Sequence, residues 1–190
     1  MSTNVAYHHA ECDRLLAKML QAPQNPRHCC TKGCSACCSE AVYASESEVD
    51  YILDALSLAQ KHELAVKLND WIEKTKPLIH EYMPDAMAWR GLNAVCPFLK
   101  HNLCSIYSRR PYSCRVWYAT GNPENCNLPA RKHQKFLQTP VPLLESMASM
   151  IDKESDFVMD NMGAILAQKL LGLNLMSGSR QDRGIHLQKT

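Results

Sequence analysis

The chain has 190 residues, 46% of them hydrophobic and 21% charged, which suits one domain with a real core. Twenty-one Lys and Arg against nineteen Asp and Glu leave a formal charge of +2. That balance excludes a basic field spread over the whole surface, and with it broad binding to nucleic acid or an anionic membrane. Residues 1–10 are polar, with His8 and His9 where a secretory signal needs an apolar segment, and no apolar run is long enough to span a bilayer. The expectation is a cytoplasmic protein, and in a reducing compartment ten cysteines favour metal or redox chemistry over a disulfide framework.

Apolar residues at Val5, Leu15, Leu16, Met19 and Leu20 predict an amphipathic helix over Asn4–Gln21, ended by Pro23 and Pro26. Cys12 sits on it alone and reads as a small buried hydrophobe. Cys29-Cys30-Thr31-Lys32-Gly33-Cys34-Ser35-Ala36-Cys37-Cys38 follows as a loop with five cysteines in ten residues. Ser39–Ala44 predicts a short extended piece with Val42 and Tyr43 inside. Ser45-Glu46-Ser47-Glu48 is a capping box opening a helix whose face carries Val49, Ile52, Leu53 and Leu56. A further helix is expected over His62–Lys76 on Leu64, Leu68, Trp71 and Ile72, with Pro77 kinking it or starting another turn.

Cys96–Tyr107 predicts a tight hairpin turning at Lys100-His101-Asn102, which folds Cys96 back towards Cys104. Ser108–Pro111 turns the chain into Tyr112–Tyr118, presenting Cys114 early, and the turn-rich Gly121–Pro129 holds Cys126. Two last helices are expected over Pro142–Ile151 and Phe157–Leu173. Leu143, Leu144, Met147 and Met150 stripe the first; Phe157, Met162, Ile165, Leu166 and Leu170 stripe the second. The methionines at this spacing read as core filler. Residues 177–190 carry no pattern and read as a tail, so one domain is expected over residues 1–176, with its motif core at 28–126.

Thiols this dense point to shared metal chemistry, because a soft ion or an iron–sulfur cluster wants about four converging thiolates. Cys34-x-x-Cys37 can aim two sulfurs at one centre from one turn, and Cys96, Cys104 and Cys114 can supply the rest. Adjacent Cys37 and Cys38 point in different directions, so one can ligate while its neighbour packs or serves a second centre. The candidate metal ligands are Cys30, Cys34, Cys37, Cys38, Cys96, Cys104, Cys114 and Cys126, enough for one four-coordinate site or two. Cys30-x-x-x-Cys34-x-x-Cys37 also has the spacing of a radical S-adenosylmethionine cluster motif. It follows a helix, however, and no repeated βα units or glycine-rich loops come after it. A zinc ribbon would need a second C-x-x-C knuckle, which the 96–114 block lacks.

His28 and His101 flank the two blocks and read as solvated imidazoles, since thiols already suffice. Arg109, Arg110 and Arg115 surround Cys114 in sequence. They could offset the negative charge of a thiolate site, or form surface contacts and salt bridges to helix carboxylates.

Taken together, CTKGCSACC at 30–38, CPFLKHNLCSIY at 96–107 and RPYSCR at 110–115 resemble the YkgJ-like cysteine-cluster family of zinc- or iron-chelating proteins. The resemblance covers about residues 30–126. It implies metal chelation through Cys34, Cys37, Cys38, Cys96, Cys104 and Cys114. The family's first block is often written C-x-x-C-x-x-C-C, whereas three residues separate Cys30 from Cys34 here, which leaves the role of Cys30 open. Flagellin lysine N-methylases look similar in their cysteine clusters but are longer, and no S-adenosylmethionine site is recognisable here.

The expected fold is mainly α: a small helical domain with a cysteine-rich loop and a short β-hairpin, joined at a metal site. The expected function is binding of zinc or an iron–sulfur cluster, with a structural, storage or sensing role. The alternatives are a cluster-dependent protein-modifying enzyme or a thiol redox or metal-delivery protein. A metal ion is the expected partner, with no nucleic acid and no membrane; zinc and iron–sulfur remain equally open.

Overall fold

In chain order the helices are α1 (Ser2–Gln21), α2 (Glu46–Leu53), α3 (Leu58–Thr75), α4 (Ala86–Gly91), α5 (Tyr112–Val116) and α6 (Met162–Leu171). The strands are β1 (Tyr43–Ser45), β2 (Leu99–Lys100), β3 (Leu103–Cys104), β4 (Ala119–Thr120), β5 (Lys135–Phe136) and β6 (Met159–Asn161). This computed structural model describes residues 2–81, 83–126, 135–136 and 159–175, and for 2–4 and 135–136 the backbone only. The chain is mainly helical, with a few short strands, as the periodicity predicts.

Helix α1 buries Val5, His9, Cys12 and Leu16, a four-three-four spacing that keeps one stripe inward. Cys12 is fully buried against Leu16 and Tyr112, in a small cluster between α1 and α5. Ser45 opens α2 through the capping box with Glu48. A second box, Ser57 with Gln60, starts α3 at Leu58, four residues before the predicted His62. Helix α2 stops at Leu53, so Leu56 packs on the core from the link rather than from the helix face.

The extended piece before α2 lies at Tyr43–Ser45, slightly later than predicted, and pairs antiparallel with β6, Tyr43 opposite Asn161. This pairing corrects the start of the last helix. Met159–Asn161 is strand, Met162 N–H donates to the Val42 carbonyl at 2.8 Å, and the Asn161 side chain caps α6 by accepting from Gly163 N–H. A short apolar run fits either period, and the long-range pairing decides it. Gly172 (φ +70°) ends α6 in the left-handed conformation that glycine adopts without strain.

The main core lies between α2, α3 and α6, where Ile52, Leu68, Ile165 and Leu166 are essentially inaccessible to solvent. Gly163 lets α6 approach Trp71 closely: a Cβ there would sit 2.2 Å from the ring. Cys96 and Cys104 pack on the edge of this core, so the metal-type residues sit against a rigid body. The short α4, capped by Asp85, has no counterpart among the predicted elements. The predicted helix at Pro142–Ile151 and the tail at 177–190 lie outside the described residues. Among the described residues no helix is long and apolar enough to cross a membrane.

Candidate metal centre

Backbone bonds place the first cysteine block. His28 bridges to Thr120, and Cys29 N–H donates to the Ala119 carbonyl at 2.9 Å. The Ala119 N–H points at the Cys30 sulfur, 3.4 Å away. Gly33, at φ +90°, then lets the chain turn sharply, closed by Cys34 N–H to the Thr31 carbonyl at 2.9 Å. A 3₁₀ turn over Ala36–Ser39 carries Cys37 and Cys38.

The second block is the hairpin of β2 and β3. His101 and Asn102 both have positive φ, as a two-residue type I′ turn requires, and Leu99 pairs with Cys104. Ser105 closes the base with backbone and hydroxyl bonds to the Phe98 carbonyl, each 2.9 Å. Cys96 N–H donates to the Cys38 carbonyl at 2.8 Å. Residues 58 positions apart in sequence are thereby adjacent in space, and this bond welds the two blocks.

The thiols feel one another. Burial pushes Cys96 up to about 12, with the charges of Cys104 and Cys37 adding to it. Burial likewise raises Cys114, helped by Cys96, Cys37 and Cys104. Cys104 rises for the same reasons, partly offset by Arg110. The Cys38 thiol donates to the Cys37 sulfur, so Cys38 is raised and Cys37 held down at about 7. Cys37 is thus an electrostatic neighbour of Cys38, Cys96, Cys104 and Cys114 alike. Cys30, raised to about 11 by burial, answers to Cys29, Cys34 and Cys37 and stands at the edge of the group. Cys34 and Cys37 are exposed; Cys38, Cys96, Cys104 and Cys114 are half-buried. Cys126 ends a 3₁₀ turn at Pro123–Cys126, and its carbonyl accepts from Arg90, described below.

The three arginines near Cys114 divide between the two readings. Arg115 is fully buried and binds Asp13 at 2.6 Å, His9 at 3.2 Å and the carbonyls of Ser108 and Arg110. His9 in turn bonds Glu48, which also accepts from Tyr112 N–H at 2.7 Å. This network fastens α5, and so the segment bearing Cys114, to α1 and α2. Arg109 lies on the Tyr51 ring and donates to the Tyr51 carbonyl. Arg110 lies on Tyr107, and of the three it is the one whose charge eases the Cys104 thiolate. Neither histidine joins the thiols: His28 sets its ring edge to face with Tyr118, and His101 is an exposed turn residue.

Arg90 and Glu40 escaped the sequence reading. Arg90 is 5% exposed and donates to Glu40 at 2.8 Å, to the Ala36 carbonyl at 3.2 Å and to the Cys126 carbonyl. Its charge favours the Cys37 thiolate, while that of Glu40 opposes it. A lone Arg after a tryptophan gives no signal in sequence; only the short helix α4 reveals its direction.

A family model, CxxCxxCC, "Putative zinc- or iron-chelating domain", matches residues 28–140. The chain belongs to this family. No curated protein and no solved structure matches it. The CxxCxxCC segment spans both thiol blocks and agrees with the resemblance drawn from the motifs. The family's description supports metal binding and leaves zinc and iron equal.

The donor set of the CxxCxxCC domain fits either metal in chemistry, since both take thiolates. Among the described residues no three His, Cys, Asp or Glu side chains are gathered tightly enough to grip an ion in this arrangement.

Proposed function

We propose that this CxxCxxCC domain holds zinc or an iron–sulfur cluster through thiolates of both blocks, in one domain spanning residues 1–176. The ligands are drawn from Cys37, Cys38, Cys96, Cys104 and Cys114, with Cys34 the exposed reserve and Cys30 and Cys126 outside the innermost set. The observation that carries this reading is the Cys38–Cys96 backbone bond, which makes neighbours of two thiol blocks that sequence keeps apart. Bound metal supplies the positive charge that lets several mutually repelling thiolates coexist. The chain's own part is to hold the blocks together and to shield the inner thiols. Arg110 eases the negative charge at Cys104. The role we infer is structural, storage or sensing, in the cytoplasm.

A second reading, thiol redox or metal delivery, draws on a different observation. Cys37 is exposed and held near 7 by a hydrogen bond from its neighbour Cys38, the environment of a reactive thiolate.

The test is thermal unfolding of chelator-stripped protein, titrated anaerobically with zinc and separately reconstituted with iron and sulfide. At about 100 times the Kd, a bound ligand adds about 2.7 kcal/mol of stability, reversed by chelator. Absence of any shift with either treatment defeats the metal-binding reading. A metal-independent, reversible loss of two thiols on mild oxidation supports the redox reading instead.

A further inference from the structure

One guanidinium holds both ends of the turn that carries the vicinal cysteines. The 3₁₀ turn runs Ala36–Ser39, with Cys37 and Cys38 at its centre. Arg90 donates to the carbonyl of Ala36, where the turn begins, and to the carboxylate of Glu40, the residue after it ends. Two of its nitrogens converge on the same Glu40 oxygen, at 2.8 and 2.7 Å. A third reaches the Cys126 carbonyl. Both side chains are withdrawn from water, Arg90 to 5% and Glu40 to 12% exposure, so the pair is weakly screened. The base of the arginine is equally fixed. Its neighbour Trp89 is 1% exposed and packs beside Trp71 of α3, and Asp85 caps α4 by accepting from Ala88 N–H at 2.8 Å. The turn is thus clamped to the helical core through a single planar fork. A fork of fixed geometry orients a backbone in a way that a lysine point charge does not.

We propose that Arg90, through Ala36, Glu40 and Cys126, is the positioning residue that sets the Cys37–Cys38 turn for metal uptake. The proposal rests on the metal-binding reading above and names the residue on which the geometry of that site depends. Arg90 touches no sulfur. Its positioning effect is transmitted through the backbone of the turn and through the position of the Cys126 segment, in addition to the charge it presents to the Cys37 thiolate.

The experiment uses the full chain, stripped of metal and kept anaerobic, with cobalt(II) alone as the probe. Cobalt reports thiolate ligation through its charge-transfer band and coordination geometry through its visible bands. The variants are Arg90→Gln, Arg90→Lys and Glu40→Gln, each checked for native circular dichroism. Arg90→Gln should weaken cobalt affinity by about 10- to 100-fold and alter the visible bands. Arg90→Lys should recover part of the affinity but not the native band shape, since charge returns without the fork. Glu40→Gln should shift both readouts in the same direction by less. Native affinity and native spectra in folded Arg90→Gln overturn the proposal. If Arg90→Gln does not fold, native behaviour of Glu40→Gln overturns it. Failure of the unsubstituted chain to give any thiolate–cobalt band overturns the proposal together with the single-ion form of the metal-binding reading, whatever the variants do; the iron–sulfur form is decided by the reconstitution above.

Discussion

The main-chain N–H of Cys96 donates to the carbonyl oxygen of Cys38 across 2.8 Å. That bond uses no side chain, so it leaves both thiols available while fixing the hairpin block against the turn block. If those sulfurs share a metal, Cys38→Ser or Cys96→Ser should lose affinity by more than the roughly 100-fold ceiling of outer-sphere changes. Cys12→Ser should leave metal uptake intact and instead cost about 1–3 kcal/mol, because it places a hydroxyl in a fully buried apolar cluster. Metal content per chain and urea unfolding, measured on the same preparations, separate the two effects.

Arg115 is buried between Asp13, His9 and two carbonyls, and its removal strands the buried His9 and the carbonyls, while Asp13 is half exposed and keeps its water. Arg115→Ala should lower stability by about 1–3 kcal/mol, the cost of leaving buried hydrogen-bonding groups unpaired. Chemical unfolding of the metal-free protein checks this, and a change below 1 kcal/mol would remove the network from the account.

Gly163 faces the Trp71 ring at a distance where no side chain fits. Gly163→Ala should cost about 1–3 kcal/mol by forcing α6 and α3 apart, despite the better helix propensity of alanine. Trp71 fluorescence should shift with it.

The thiols also predict pH behaviour. Metal uptake must release protons from the half-buried Cys96, Cys104 and Cys114, so affinity should rise steadily from acid towards neutral pH. For the metal-free fold the buried thiols all act in one direction, and Cys12, outside the candidate ligands, shows it: burial raises it from 9.0 to about 12. The folded state holds this proton more tightly than the unfolded state does. Its stabilising share is therefore complete below 9 and is lost as pH climbs from 9 towards 12. Urea unfolding across that window should fall more steeply for the native chain than for Cys12→Ala.

What could be read from the chain alone follows the range of each interaction. The capping box at Ser45–Glu48 and the hairpin turn at His101–Asn102 are local, and residue type specifies them within a few positions. The stripes of α1 and α3 were legible for the same reason. The β1–β6 pairing was not, because Met159 and its neighbours become strand only when Tyr43–Ser45 arrives from the far end of the chain. The same limit applies to the site. Motif spacing singled out the cysteines, but the fork of Arg90 joins Ala36, Glu40 and Cys126, and no local pattern encodes that meeting. Arg115 was visible as a charge beside Cys114, yet its partners Asp13 and His9 lie on α1, about a hundred residues earlier.

The central claim is that thiolates of both blocks share a metal, and metal content with a visible spectrum on anaerobically purified protein tests it most directly. The account predicts stoichiometric zinc without colour, or iron with a brown absorbance that bleaches in air, and in either case inner thiols slow to react with a thiol reagent. A folded, colourless protein carrying neither metal, with the thiols of Cys38, Cys96, Cys104 and Cys114 reacting at once, would contradict it.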